Sequence, residues 1–275
     1  MKALRQAALL EQARAPAFLR KLEQSRVLID QVLTRAEQEH QRWYVAFSGG
    51  SDSTVLLDLV IRHEKGQGID VVWGDDGWDF PETLAFLEEI EQRIGRPIRR
   101  IRCLGPWRAW CQEMRRPELA EQPDLPGVWG NPSRWEATWH SLTRDARQAG
   151  YDGVFLGLLG TARRDGGESW TRWQVLHGGK RPLYQVQEEG GIWHCCPLAA
   201  WSKRDVWAYI VSRQLPYNRV YDRLTQMGIP LEQQRVAPLT CFRVLHYGGA
   251  VLFKQGWPSL WSTMTAIFPA LTQYQ

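Results

Sequence analysis

Five residues of strand character, Trp43-Tyr44-Val45-Ala46-Phe47, run without a break into Ser48-Gly49-Gly50-Ser51-Asp52-Ser53, and from there into an apolar run through Leu56, Leu57 and Leu59. A strand that delivers a glycine-containing loop to the start of a helix is the physical recipe for an anion site. Glycine lets the backbone approach the charge, the unpaired amides of the first helical turn point at it, and the helix dipole favours it. Ser48, Ser51 and Ser53 add hydroxyl donors. The spacing is neither GxxxxGK[ST] nor GxGxxG, so two common nucleotide fingerprints are excluded.

The rest of the chain repeats the strand-then-helix rhythm. Asp70-Val71-Val72-Trp73 reads as a second strand. Asp79 reads as the cap of a following helix that has Pro81 in its first turn and runs through Leu84, Phe86, Leu87 and Ile90 to Gly95. Residues 97–101 read as a third strand, residues 135–148 as a helix, and residues 153–158 as a buried fourth strand. A polar loop over 161–171 follows, then a hairpin over 184–193 that turns at Glu189-Gly190-Gly191. Ser202 caps an amphipathic helix with Asp205 in its first turn, and Leu215-Pro216 stops it. This alternation argues for an α/β, Rossmann-like parallel sheet with helices on both faces. Before it lies a helical arm, residues 1–40, broken at Ala15-Pro16. The division expected is that arm, a core over 41–222, and an extension over 223–275 in which the tail from Val236 shows no clear period.

The chain has 275 residues, 44% of them hydrophobic, which is enough for a full core. A net charge of +4 is carried largely by arginine, in pairs such as Arg99-Arg100, Arg115-Arg116 and Arg163-Arg164. Such pairs suit a phosphate-rich ligand or a nucleic acid, and equally an ordinary solvated surface. The five cysteines, Cys103, Cys111, Cys195, Cys196 and Cys241, contain no CxxC. With no secretory signal and no apolar stretch long enough to span a bilayer, free thiols in a reducing cytoplasm are expected, without membrane association.

The string FSGGSDS after a strand resembles the PP-loop, SGGxDS, of the ATP pyrophosphatase superfamily (the adenine nucleotide alpha hydrolase-like fold). Three further segments resemble the phosphoadenosine phosphosulfate (PAPS) reductase family within it. Gly74-Asp75-Asp76-Gly77-Trp78-Asp79-Phe80-Pro81-Glu82-Thr83 is similar to DTGxxFPET, with Asp76 in place of Thr. The stretch 160–169, containing Arg163, Arg164 and Glu168, is similar to the family's arginine loop, and Arg172 is a candidate to join it. Pro197-Leu198-Ala199-Ala200-Trp201-Ser202-Lys203-Arg204-Asp205-Val206-Trp207-Ala208-Tyr209-Ile210, followed by Leu215-Pro216-Tyr217-Asn218 and Tyr221-Asp222, resembles PLxxWTxxDVWxYI…LPYNPLYD. That last match is the most specific, and its role is expected to be architectural.

The resemblance implies ATP bound through Ser48, Gly49, Gly50, Ser51, Asp52 and Ser53, with Asp75, Asp76, Arg163, Arg164, Glu168 and Arg172 as further nucleotide contacts. It also implies cleavage between the α and β phosphates. Asp52, Arg163 and Arg164 are the catalytic candidates, and Asp52 is the candidate for Mg²⁺. Members that reduce sulfonucleotides use a late cysteine in an ECGLH-like motif, which is absent here; Cys241 is the only late cysteine and the candidate nucleophile for that alternative. PAPS reductases also typically lose the intact SGGxDS that this chain keeps. Cys195-Cys196 lacks the later CxxC of the cluster-bearing members, so an iron–sulfur cluster is not expected. The leading expectation is an ATP-dependent activating enzyme in sulfur transfer or nucleic-acid thiolation, as in DNA phosphorothioation. The alternatives are a PAPS or APS reductase and a nucleotide-binding subunit with little turnover. Nucleic acid or a sulfur-donor protein are the candidate partners, with residues 1–40 and the Trp-rich segment 105–135 as candidate partner surfaces.

Overall fold

The computed structural model describes residues 3–75, 79–103, 111–112, 114–119, 136–137, 149–159, 162–163, 169–170, 181–186, 191–236 and 249–273. In chain order the main elements begin with α1 (Ala3–Arg14), α2 (Pro16–Gln38), β1 (Trp43–Ala46), α3 (Ser51–Ile61), β2 (Asp70–Asp75), α4 (Pro81–Ile94), β3 (Arg99–Cys103) and β4 (Glu136–Ala137). There follow β5 (Gly153–Phe155), β6 (Ala162–Arg163), β7 (Ser169–Trp170), β8 (Leu183–Val186), β9 (Ile192–Cys195), α5 (Lys203–Ser212), α6 (Val220–Gln226), α7 (Gly249–Gly256) and α8 (Pro258–Ile267). By its contacts the chain divides into two compact units. One comprises Met1–Val72, Pro97–Arg99 and Thr143–Asn218; the other comprises Trp73–Arg96, Arg100–Leu142 and Arg219–Gln275.

In the first unit β1 pairs in parallel with β2 on one side and with β5 on the other; β5 pairs in parallel with β9, and β9 in antiparallel with β8. The fold is thus α/β with a mostly parallel sheet. β1 and β5 are apolar because both sheet faces are covered: Trp43, Tyr44, Val45, Val154 and Phe155 are all buried. Gly153 faces Trp43 across the pair. A Cβ there would lie 2.3 Å from the indole, so only glycine lets the ring lie against the strand. The chain leaves β1 for β2 on one side and later returns as β5 on the other. That reversal makes the crevice beyond the carboxyl ends of β1 and β5 a topological switch point, where open α/β sheets bind ligands.

The arm is two helices broken at Ala15-Pro16, with Pro16 at the first position of α2. It packs on α5 of its own unit. Phe18 meets Trp201 edge-on at 5.3 Å. Ser25 Oγ accepts from the Trp201 indole N–H at 2.9 Å and lies 2.7 Å from the Pro197 carbonyl oxygen. Lys21 and Gln12 both donate to the buried Asp205 carboxylate at 2.7 Å.

The second unit holds α4, the parallel pair β3–β4 and the C-terminal helices. The tail that showed no period forms α7 and α8, with Pro258 opening α8. Among its described residues Phe253, Trp257, Trp261 and Phe268 are buried, and Phe80 stacks on Trp257 at 3.9 Å and on Phe253 at 5.5 Å.

Three local expectations are corrected. The cap of α4 is Phe80 and not Asp79; the residue before a proline is held extended (φ −64°, ψ 143°), so the boundary falls next to Pro81. Glu136 and Ala137, expected to be helical, pair instead with Arg102 and Cys103 of β3. There the sheet's hydrogen bonds override local preference, and the neighbouring 138–148 lie outside the described residues. The third strand lies two residues later than expected, over Arg99–Cys103.

Candidate nucleotide-binding loop

β1 ends at Ala46, and the amide of Phe47 still donates to the Val72 carbonyl at 2.8 Å, so the strand's direction carries into the loop. Gly49 then turns with φ +69°, a conformation that side-chain-bearing residues avoid. Its carbonyl accepts from the buried Asn218 side chain at 3.2 Å. Gly50 occupies the cap position of α3 and supplies no side-chain cap. Its carbonyl instead accepts from the Thr54 amide at 2.9 Å and from the Ser53 and Thr54 hydroxyls at 3.0 and 2.8 Å. The first turn of α3 thus begins without a side-chain cap from its N-cap residue. Ser48 and Ser53 hydroxyls meet at 3.1 Å and close the loop on itself.

Gly157, just beyond β5, lies against this turn. A Cβ there would come within 3.0 Å of the Ser53 nitrogen and 3.1 Å of the Asp52 carbonyl carbon. The two strands flanking the switch point thus converge on one helix N-terminus.

Lys203, first residue of α5, donates to Ser51 Oγ and Asp52 Oδ1, each at 2.7 Å, and its side chain is only 10% exposed. Neither Lys203 nor Asn218 was among the expected site residues, although both stand in the segments read as architectural. The signal for Lys203 was a cation at a helix N-terminus, where it opposes the dipole. α5 does not need it for capping. Ser202 and Asp205 form a reciprocal capping box. Burial pushes the Asp205 carboxyl up, but Lys21, the Ser202 amide, Gln12 and the Ser202 hydroxyl outweigh it and hold it below the ordinary carboxylate range. One turn further, Tyr209 donates to the buried Asp58 of α3 at 2.8 Å; Asp58 also accepts from Arg62 at 2.7 Å.

Of the expected nucleotide contacts, Ser48, Gly49, Gly50, Ser51, Asp52 and Ser53 are brought together here. Asp75 closes β2 and belongs to the second unit. The backbone of Arg163 pairs with Ser169 in the β6–β7 hairpin. The Arg163 side chain, Asp76, Arg164, Glu168, Arg172 and Cys241 lie outside the described residues. Other arginine pairs have internal partners: Arg99 donates to the Tyr151 hydroxyl, Arg100 pairs with Glu91, and Arg116 pairs with Glu118. Cys195 and Cys196 are fully buried, and burial pushes both thiols up, which suits inert core cysteines. Cys111 is likewise buried, its thiol pushed up to about 11.

Among the described residues no group of three or more His, Cys, Asp or Glu is placed to hold a metal. Mg²⁺ asks for less, one or two carboxylates with phosphate oxygens and waters. Asp52, with hydroxyl oxygens beside it, fits that requirement. Among the described residues no helix is long and apolar enough to cross a membrane.

Fold and loop together define an α/β protein with a glycine- and serine-rich strand-to-helix loop at its sheet's switch point. The family model of the phosphoadenosine phosphosulfate reductase domain matches residues 42–109 and 171–229. An uncharacterized protein of Methanocaldococcus jannaschii is 26% identical over 219 residues, 79% of this chain and 39% of that protein. The phosphoadenosine 5'-phosphosulfate reductase of Xanthomonas campestris is 28% identical over 185 residues, 66% of this chain and 67% of that one. The fold is also similar to Candida glabrata FMN adenylyltransferase, solved in complex with ATP, with a TM-score of 0.51 and 12% identity over 80% of this chain and 66% of that one.

Proposed function

We propose that the chain is an ATP pyrophosphatase-type enzyme that adenylates a substrate oxygen. The observation that carries this reading is the intact SGGSDS loop, which joins β1 to the N-terminus of α3 at the switch point and leaves that helix without a side-chain cap. Such a cradle suits a β,γ-diphosphate, whose charge is spread over many oxygens. The substrate oxygen attacks the α-phosphorus, the bond from the α-phosphorus to the α,β-bridging oxygen breaks, and pyrophosphate leaves with both electrons of that bond. The loop's amides and hydroxyls stabilise the charge that develops on the leaving group. Arg163 and Arg164, in the sequence that follows β5, are assigned to the phosphates, with Glu168 and Arg172 as further contacts. Asp75 and Asp76 are assigned to the nucleotide. Mg²⁺, held by Asp52 and the phosphates, would neutralise phosphate charge. Sulfur transfer or thiolation of a nucleic acid, as in DNA phosphorothioation, is the pathway class proposed.

The test is calorimetric. The parent should bind ATP, and Asp52→Ala should weaken that binding by about tenfold or more while keeping the fold. Equal affinity in the two proteins would sink the assignment.

A second reading, sulfonucleotide reduction through Cys241, is favoured by the named activity of the Xanthomonas relative. It predicts sulfite from PAPS with thioredoxin, lost in Cys241→Ser. The first reading predicts no sulfite from either protein.

A further inference from the structure

Lys203 poses a physical question that its helix does not answer. A cation at the first position of α5 faces the positive end of the helix dipole. Its ammonium is also largely withdrawn from water, at 10% exposure, which a lysine tolerates only with strong acceptors. Two strong acceptors lie on the other helix start, Ser51 Oγ and Asp52 Oδ1 at 2.7 Å each. The capping of α5 is complete without it, through Ser202 and Asp205. Two helix N-termini and a lysine thus converge on one carboxylate, that of Asp52.

We propose that Lys203 is a polyphosphate-sensing residue. In the free protein its ammonium is held by Asp52. When a di- or triphosphate group enters the loop, the ammonium transfers to a phosphate oxygen and releases Asp52 Oδ1. The inference rests on the triphosphate reading of the loop. Its electrostatic basis is a competition. A triphosphate brings several negative charges to the first turn of α3, against the single charge of Asp52, and the four-carbon stem lets the ammonium move between acceptors without moving α5. A nucleoside monophosphate lacks the phosphates that would lie there. Lys203 therefore adds affinity for ATP and pyrophosphate but none for AMP, and the exchange frees the carboxylate only when the phosphates that leave are present.

The experiment is calorimetric titration of parent, Lys203→Gln and Lys203→Arg with the α,β-methylene analogue of ATP, with pyrophosphate and with AMP, alongside thermal melts. The glutamine variant should lose about tenfold or more in affinity for the analogue and for pyrophosphate, and stay within about twofold for AMP. The arginine variant, which keeps the charge, should recover most of the loss. A parallel measurement needs no variant: acetylation of Lys203 in the parent, followed by mass spectrometry. Pyrophosphate should change the extent of labelling severalfold, and AMP should leave it as in the free protein. Equal pyrophosphate affinity in the parent and a folded glutamine variant would overturn the proposal and leave the loop's reading intact. So would labelling indifferent to pyrophosphate in a parent that binds it. A parent that binds neither the analogue nor pyrophosphate would overturn both.

Discussion

At the scale of single residues, the site is defined by groups that hold the loop open. Gly49 makes the turn, Asn218 fixes its carbonyl, and Gly157 packs against the start of α3 where a side chain would crowd the Ser53 amide. The last point is testable. A methyl at position 157 would sit 3.0 Å from the Ser53 nitrogen and 3.1 Å from the Asp52 carbonyl carbon, tighter than ordinary van der Waals contact. Gly157→Ala should therefore lower ATP affinity by about tenfold, through a covered amide and a displacement of a few tenths of an ångström at the start of α3. Calorimetry with a thermal melt checks this, and unchanged affinity in a folded variant would show that the Ser53 amide is not used. The loop was legible in sequence because glycine and serine at a strand-to-helix junction have few other uses. Lys203 was not, because a lysine two residues before a capping-box aspartate reads as surface charge until its acceptors, about 150 positions away, are placed beside it.

At the scale of elements, α5 joins three parts of the first unit. Its first turn reaches the loop through Lys203, its buried Asp205 receives Lys21 and Gln12 from the arm, and Tyr209 ties it to α3 through Asp58. The segment 197–210 was read as architectural, and its aromatic residues are: Trp201, Trp207 and Tyr209 are all buried. The polar part of the arm's docking was not legible, since Ser25 and Lys21 carry no apolar signal; Phe18 against Trp201 supplies an apolar part. The helix break at Pro16 and the hairpin of β8 and β9 were legible, because proline and glycine act locally. The cap of α4 was misread because the residue before Pro81 is held extended, and the strand at Glu136 because pairing with β3 is decided by a tertiary partner. Asp205 supplies the prediction at this scale. Its folded value lies below the ordinary 3.8 of a free aspartate, so its contribution is complete above that value and is lost as pH falls through the folded one. Asp205→Asn should cost about 1–3 kcal/mol at neutral pH, and the gap to the parent should shrink below about pH 4. Denaturant melts across pH 3 to 7 check this at about unit spacing; a gap that stays flat across that range would contradict it.

At the scale of the whole molecule, a mostly parallel sheet and a partial match to the PAPS reductase domain leave two chemistries in view, sulfonucleotide reduction and nucleoside triphosphate cleavage. The sheet does not choose between those chemistries; fold sets where a ligand binds and the site sets what is done to it. The choice turns on the intact loop against the late cysteine, and on which bond of the nucleotide is broken. The most direct measurement follows the γ-phosphate of labelled ATP, incubated with the parent protein and Mg²⁺, with DNA and tRNA supplied as acceptors. The account predicts that the label leaves in pyrophosphate, with AMP or an adenylated product in equal amount. Label leaving as orthophosphate with ADP would contradict it, as would intact ATP alongside sulfite released from PAPS.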